Sequence, residues 1–296
     1  MTIVVNPAGA AAVRTSGEPI VQWRDLTVRQ HGDRAFFTYR SWDLELDLAT
    51  LNLHCWGPDP DSLDSLAFRE FFLLSPILFM LRRLGYFELH AAACAYGESG
   101  YLLLGSSGSG KTAAILALIA SGWSYLSDDA MLVCAVPGNK IAARPLRRSF
   151  SLKTDLLEHY PMLALHATEP VHGTGKRRLD PRRVWPDKFL PVMQPRFMIS
   201  CNISNEERSR IVPISPAESL ARLVGSTPWM MFDQLTATAH LEIFRSLAAS
   251  CCSFELNAGR DLFCNGKRFA AHLDPDRLME LRRSSEANPE TDTRWA

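Results

Sequence analysis

The alternation of apolar and polar positions divides the chain into a β-rich beginning and a mixed α/β remainder. Between residues 21 and 55 the segments Leu26–Arg29, Ala35–Tyr39 and Leu44–Cys55 alternate. In Leu44-Glu45-Leu46-Asp47-Leu48 every second residue is apolar, the period of a strand buried on one face. Residues 1–20 are small, polar and irregular and read as loose. Gly57-Pro58-Asp59-Pro60-Asp61 is loop punctuation. Ser65–Leu84 then reads as a long apolar helix that would bend at Pro76 and end at Gly85.

Beyond Gly85 short apolar runs and turns alternate with helical patterns. Tyr86–Cys94 and Gly100–Leu104 read as strands joined by Tyr96-Gly97-Glu98-Ser99. Ala113–Ala120 reads as an apolar helix closed by Gly122. Trp123–Ser127 and Ala130–Val136 read as strands, and Pro137-Gly138-Asn139-Lys140 as a hairpin turn into Ile141–Pro145. Ser151–His159 reads as a helix, and the polar stretch Leu165–Lys188 as a long loop. Arg196–Ile203 reads as a core strand. Ser215-Pro216-Ala217-Glu218 is a capping-box helix start. Phe232–Ser250 reads as a helix, Ser253–Leu256 as a last strand, and the tail after Arg283 as disordered. No internal repeat stands out.

Composition narrows the picture. Hydrophobic residues make up 47% of 296, enough for a substantial core. The 32 basic and 32 acidic side chains cancel, so no global field argues for nucleic acid or an anionic membrane. The seven cysteines are odd in number, several lie in apolar runs, and none forms a C-x-x-C pair. Free thiols in a reducing compartment follow, and a zinc site does not. The most apolar stretch, Phe71–Leu81, is too short to span a bilayer and contains a proline. The N-terminus lacks a signal-peptide pattern. The expectation is a soluble, cytoplasmic protein with no nucleic-acid or membrane partner.

The chemistry concentrates in Gly105-Ser106-Ser107-Gly108-Ser109-Gly110-Lys111-Thr112, which fits the phosphate-binding P-loop pattern G-x-x-x-x-G-K-[ST]. A predicted strand, Tyr101–Leu104, precedes it, and the Ala113–Ala120 helix follows. Glycines at 105, 108 and 110 let successive backbone N–H groups converge on phosphate oxygens at the positive end of a helix. Lys111 would reach the β and γ phosphates, and the Thr112 hydroxyl would ligate Mg²⁺. The expected ligand is a nucleoside triphosphate, ATP first among them.

Three further features bear on the reaction. Asp128-Asp129 stands 16 residues after Thr112, at the end of a predicted strand. Carboxylates there suit Mg²⁺ binding and activation of a hydroxyl acceptor. His90, in Glu88-Leu89-His90-Ala91-Ala92-Ala93, sits one strand before the P-loop strand. Lys176-Arg177-Arg178 follow Gly173-Thr174-Gly175 in the polar stretch. Lys176 and Arg178 are candidates to stabilise charge on a transferred phosphoryl group or to hold an acidic peptide.

Together, His90-Ala91-Ala92-Ala93, the Gly105–Thr112 loop and the run Gly122-Trp123-Ser124-Tyr125-Leu126-Ser127-Asp128-Asp129 resemble the catalytic core of HPr kinase/phosphorylase. The resemblance is clearest over residues 86–136. It implies an α/β fold with a P-loop nucleotide-binding core of the HPr kinase and phosphoenolpyruvate carboxykinase type. It implies ATP- and Mg²⁺-dependent phosphorylation of a serine hydroxyl. Carried over, Lys111 holds phosphate and Thr112 helps hold metal. One of Asp128 and Asp129 ligates metal while the other acts as base; the resemblance does not decide between them, and Asp128 is the candidate metal ligand. His90 sits beside them. Relatives are often oligomeric, so a homo-oligomer is among the implied states. The family's later glycine-rich signature has no good copy here, and residues 1–60 do not resemble its usual N-terminal domain. Phosphorylase activity and HPr itself therefore fall outside what the resemblance implies. The layout, with Ser253-Phe254-Glu255-Leu256 and Gly259-Arg260-Asp261, looks more like the related kinases of peptide-modification systems, including lasso-peptide precursor kinases.

The expected organisation is a β-rich region over 1–64, a kinase domain over 65–275 and a tail over 276–296. The expected activity is serine phosphorylation of a peptide or small protein. A nucleotide-gated partner-binding protein and a small-molecule kinase are the alternatives. A transporter-type ATPase is disfavoured, because its Leu-Ser-Gly-Gly-Gln signature is absent.

Overall fold

The alternating N-terminal segments form one six-stranded sheet. It comprises β1 (Thr2–Pro7), β2 (Val21–Trp23), β3 (Leu26–His31), β4 (Arg34–Tyr39), β5 (Trp42–Asp47) and β6 (Asn52–Gly57), in the order β1-β6-β5-β4-β3-β2. The computed structural model describes residues 2–7, 18–23, 25–40, 42–57, 73–168, 175–227, 230 and 233–287. They divide into two compact units, Met1–Phe87 with Pro228–Leu241, and Glu88–Thr227 with Glu242–Ala296.

In the first unit, β2 to β6 form an antiparallel meander and β1 joins β6 in parallel. Val28, Phe37, Leu44, Leu46, Leu53 and Cys55 fall at alternate positions and are buried. Helix α1 (Leu74–Arg83) adds Phe79 and Met80 to the same core. The Phe79 ring meets Phe37 edge-on at 5.5 Å. Two expectations change here. Thr2–Pro7 is a strand, held by main-chain pairing that composition does not reveal. The Leu44–Cys55 run is broken into two strands, because the Asp47 carboxylate accepts from the amides of Ala49 and Thr50 and closes a turn. The predicted loop at 58–61 and the 65–72 part of the predicted helix lie outside the described residues.

The second unit begins within β7 (Phe87–Leu89). Its main sheet contains β8 (Ala92–Tyr96), β9 (Ser99–Leu104) and β10 (Ser124–Ser127). Strands β11 (Met131–Val136) and β12 (Lys140–Pro145) pair separately as a hairpin. Strands β13 (Phe150–Lys153) and β14 (Lys176–Leu179) form a two-stranded antiparallel sheet. The main sheet continues with β15 (Pro195–Ile203), β16 (Arg210–Pro213) and β17 (Cys252–Ala258), in the order β10-β8-β9-β15-β17-β16. The pairings of β9 with β15 and of β15 with β17 are parallel, and the other three are antiparallel.

Helix α2 (Lys111–Ala120) follows β9 directly, and its residues 113–119 are all buried. A helix apolar on every face needs cover all round. Here β8 and β10 are joined in covering it by α7 (Asp261–Cys264) and α8 (Gly266–His272). The remaining helices are α3 (Thr154–His159), α4 (Pro161–Ala164), α5 (Pro216–Ser226), α6 (Gln234–Ser250) and α9 (Pro275–Ala287). The capping box holds, with Ser215 Oγ accepting from the Glu218 amide at 3.1 Å.

Three more readings are corrected. Within the predicted 151–159 helix, residues 151–153 belong to β13, and the helix begins at Thr154. The predicted loop over 165–188 contains β14 and two short 3-10 turns, because main-chain pairing with β13 outweighs its polar composition. The predicted tail is helical to Ala287, and residues 288–296 lie outside the described residues. No described helix is long and apolar enough to cross a membrane. All seven thiols are free, and five are buried.

The turn leading into α7 is anchored by one carboxylate. Asp261 accepts from Ser209 Oγ at 2.6 Å and Ser209 N at 2.9 Å, and lies 3.2 Å from His272 Nε2. Burial pushes its pKa up, but the Ser209 bonds and His272 outweigh that and hold it below the ordinary carboxylate value. A depressed folded pKa contributes stability above the unfolded value, and that contribution is lost as pH falls through the folded one. Asp261→Ala should therefore cost about 1–3 kcal/mol at neutral pH. Urea melts should show this penalty shrinking below about pH 4, the ordinary carboxylate range. A pH-independent penalty would count against the charge as its source.

Candidate functional site

The loop from Gly105 to Gly110 joins β9 to α2, so its backbone turns at a helix N-terminus. Gly105, Gly108 and Gly110 take φ values of 143°, 88° and 90°. A side chain is resisted twice at Gly105. A Cβ there would lie 2.4 Å from Ser109 Oγ and 2.8 Å from the Cys201 carbonyl oxygen on β15. Ser109 Oγ is buried and makes no hydrogen bond, while Ser107 is exposed on the loop. The Ser106 carbonyl accepts from the Ser109 amide at 3.2 Å.

Lys111 lies inside this turn, 6% exposed. Its Nζ donates to the carbonyls of Gly105 at 2.5 Å and Ser106 at 3.0 Å, and to His90 Nε2 at 3.4 Å. Burial lowers its pKa, with Asp129 and Asp128 among the groups opposing the shift. His90 was expected within a strand over 86–94. It sits instead between β7 and β8, where the Ala91 amide bonds the Leu89 carbonyl at 3.0 Å across a tight turn. That turn brings the ring to Lys111 on one side and to Asp129 on the other, with Nδ1 3.3 Å from Asp129 Oδ1. Burial lowers the His90 pKa in spite of Asp129, favouring a neutral ring. A neutral ring that accepts from Lys111 at Nε2 carries its proton on Nδ1, toward Asp129.

The two aspartates differ sharply. Asp128 is 1% exposed and Asp129 is 39% exposed at its side chain. Asp128 Oδ2 accepts from the Ser151 amide at 2.9 Å and from Thr112 Oγ1 at 3.4 Å. Its Oδ1 is buried and makes no hydrogen bond. Burial pushes the Asp128 carboxyl up to about 7. An uncompensated buried carboxylate oxygen beside a hydroxyl fits a small hard cation. Among the described residues no cluster of three or more His, Cys, Asp or Glu side chains stands ready for a metal, so such a cation would draw its other ligands from phosphate and water.

A cavity of about 260 Å³ opens over the loop. Residues 107–113 and Asp129 form one part of its wall, with Ser151, Lys153 and Lys176 from the two-stranded sheet. Lys153 and Lys176 are directly opposed in that sheet, and Ser151 opposes Arg178. The period of two places all four on one face. Of the predicted cations, Lys176 therefore reaches the cavity wall, while Arg178 shares its face without lining the cavity. Arg177 turns to the other face, where it donates to the carbonyls of Thr168 and Ala167. Gly173 and Thr174 lie outside the described residues. Asp155, Leu156, His159, Ile203 and Phe263 complete the lining.

Ser151, Lys153, His159 and Phe263 were not singled out from sequence. Reading 151–159 as one helix hid the strand alternation that puts Ser151 and Lys153 together. Gly259-Arg260-Asp261, read as a subgroup mark, supplies the anchored turn before Phe263.

No family model matches this chain, and no curated protein matches it. Among solved structures it is similar to the HPr(Ser) kinase/phosphatase from Coxiella burnetii, with 11% identity, coverage of 69% of this chain and 98% of that chain, and a TM-score of 0.36.

Proposed function

We propose that this protein is an ATP-dependent kinase that transfers the γ-phosphoryl group to a serine hydroxyl of a peptide or small protein. The observation that carries the reading is the chain from Lys111 through His90 to Asp129, set beside the glycine-rich loop and the Thr112–Asp128 pair. The loop amides and Lys111 bind the phosphates, so the loop acts as a P-loop. Lys153 and Lys176, directly opposed across the two-stranded sheet, both line the cavity and add positive charge where phosphates would lie. Thr112 and Asp128 would hold Mg²⁺, which supplies positive charge to the phosphate oxygens when bound.

Asp129 is the base in this reading, because its carboxylate is on the cavity wall and open to a protein side chain. It takes the proton of the acceptor hydroxyl as that oxygen bonds to the γ-phosphorus. The bond to the β–γ bridging oxygen breaks, and ADP leaves. His90 orients Asp129 through its Nδ1 proton, and Lys111 fixes the ring by occupying Nε2.

Purified protein incubated with γ-labelled ATP, Mg²⁺ and the peptides encoded beside its gene should place label on a serine. Bound ATP with no labelled product would replace this reading with a nucleotide-gated binding protein. Label on a sugar or cofactor precursor, with peptides untouched, would make it a small-molecule kinase.

A further inference from the structure

The cavity wall changes character away from the phosphate loop. Beyond residues 107–113, Asp129, Ser151, Lys153 and Lys176, it is formed by Asp155, Leu156, His159, Ile203 and Phe263, of which only Asp155 is a carboxylate. The His159 and Phe263 rings stack with centroids 4.6 Å apart and planes 26° from parallel. Phe263 is a large apolar side chain left 39% exposed. Its backbone is well held. Asp261 and Leu262 before it are buried, the Asp261 carboxylate is bound by Ser209, and the Phe263 amide donates to Arg260 O at 3.1 Å. Ile203 ends β15 close to Gly110, where a Cβ would meet Ile203 Cδ1 at 2.4 Å. A pair of stacked rings with aliphatic neighbours, continuous with the glycine-rich loop, suits a flat aromatic group joined to a phosphate chain.

The geometry points to a nucleobase subsite at His159 and Phe263, where a purine extends the existing ring stack while its phosphates lie on the Gly105–Thr112 loop. This assignment rests on the nucleotide reading above and adds to it the residues that separate a nucleotide from a bare polyphosphate. Ile203 and Leu156 bound the ring laterally. Base–aromatic stacking is worth about 1–3 kcal/mol, so losing one ring should weaken nucleotide binding by roughly 5- to 150-fold.

The test is calorimetric titration of the full chain, with Mg²⁺, by ATP and separately by inorganic tripolyphosphate. Phe263→Ala should weaken ATP at least fivefold while leaving tripolyphosphate unchanged. His159→Ala should act in the same direction, and Phe263→Trp should keep ATP affinity. Unchanged ATP affinity in both alanine variants would overturn the subsite and leave the phosphate loop standing. Equal loss of ATP and tripolyphosphate in a folded Phe263→Ala protein would also overturn it, by showing a general effect on the loop. Failure of the wild-type protein to bind either ligand would remove the nucleotide reading, and the subsite with it. If Phe263→Ala proves unfolded by circular dichroism, the His159→Ala comparison decides.

Discussion

Lys111→Met is expected to lower phosphoryl transfer by about 10²–10³-fold or more, the scale set by removing one preorganised donor to developing negative charge. Methionine keeps the length of the side chain and removes its charge. Lys111 also bonds the Gly105 and Ser106 carbonyls, so a structural effect must be weighed against the catalytic one. Each lost hydrogen bond costs about 1 kcal/mol. Against this, the ammonium is buried enough that its pKa is lowered, and removing it relieves that desolvation. The two terms oppose each other, so the melting midpoint should move little while turnover collapses. Label transfer to peptide, measured beside a thermal melt, separates the two. Near-normal transfer in Lys111→Met would dismiss the phosphate-binding role of the loop.

The candidate site was legible in the sequence to the extent that its residues are neighbours along the chain. Gly105 to Thr112 form a continuous turn, and the constraints on their backbone are local. Asp128 could be placed because it follows a short strand directly. What the sequence did not carry is register. Lys153 meets Lys176 only because β13 and β14 pair antiparallel across the 22 intervening residues, and neither strand is long or apolar enough to announce itself. Ser151 on β13 also donates its amide to Asp128, the buried one of the two adjacent aspartates, while Asp129 stays open. Phe263 was invisible for a different reason. A lone phenylalanine after Gly-Arg-Asp-Leu reads as core; in the fold the turn before it is held by Ser209, 52 residues from Asp261, and its ring lines the cavity. Strands β3 to β6 were legible by alternation, except where Asp47 caps its own turn and splits one apparent strand into two, whereas β1 was not, because only its main-chain pairing with β6 marks it.

Asp129→Asn should separate the roles of the two aspartates. As base, Asp129 must accept a proton, and an amide cannot. The asparagine keeps an oxygen for the His90 Nδ1 proton, so the ring and Lys111 should hold their places. The expected loss is about 10²–10⁴-fold in kcat, with ATP affinity and the Mg²⁺ requirement unchanged. Asp128→Asn should behave differently. Its carboxylate is buried beside Thr112, with one oxygen bound by Ser151 and the other making no hydrogen bond. Neutralising it should raise the Mg²⁺ concentration needed for half-maximal activity and leave partial turnover at saturating Mg²⁺. Measuring kcat against Mg²⁺ for both variants gives opposite patterns for the two roles. If Asp129→Asn shifts the Mg²⁺ dependence and Asp128→Asn lowers kcat at every Mg²⁺ concentration, the assignment is reversed. Burial would then have to be outweighed by movement of the β10–β11 turn on substrate binding.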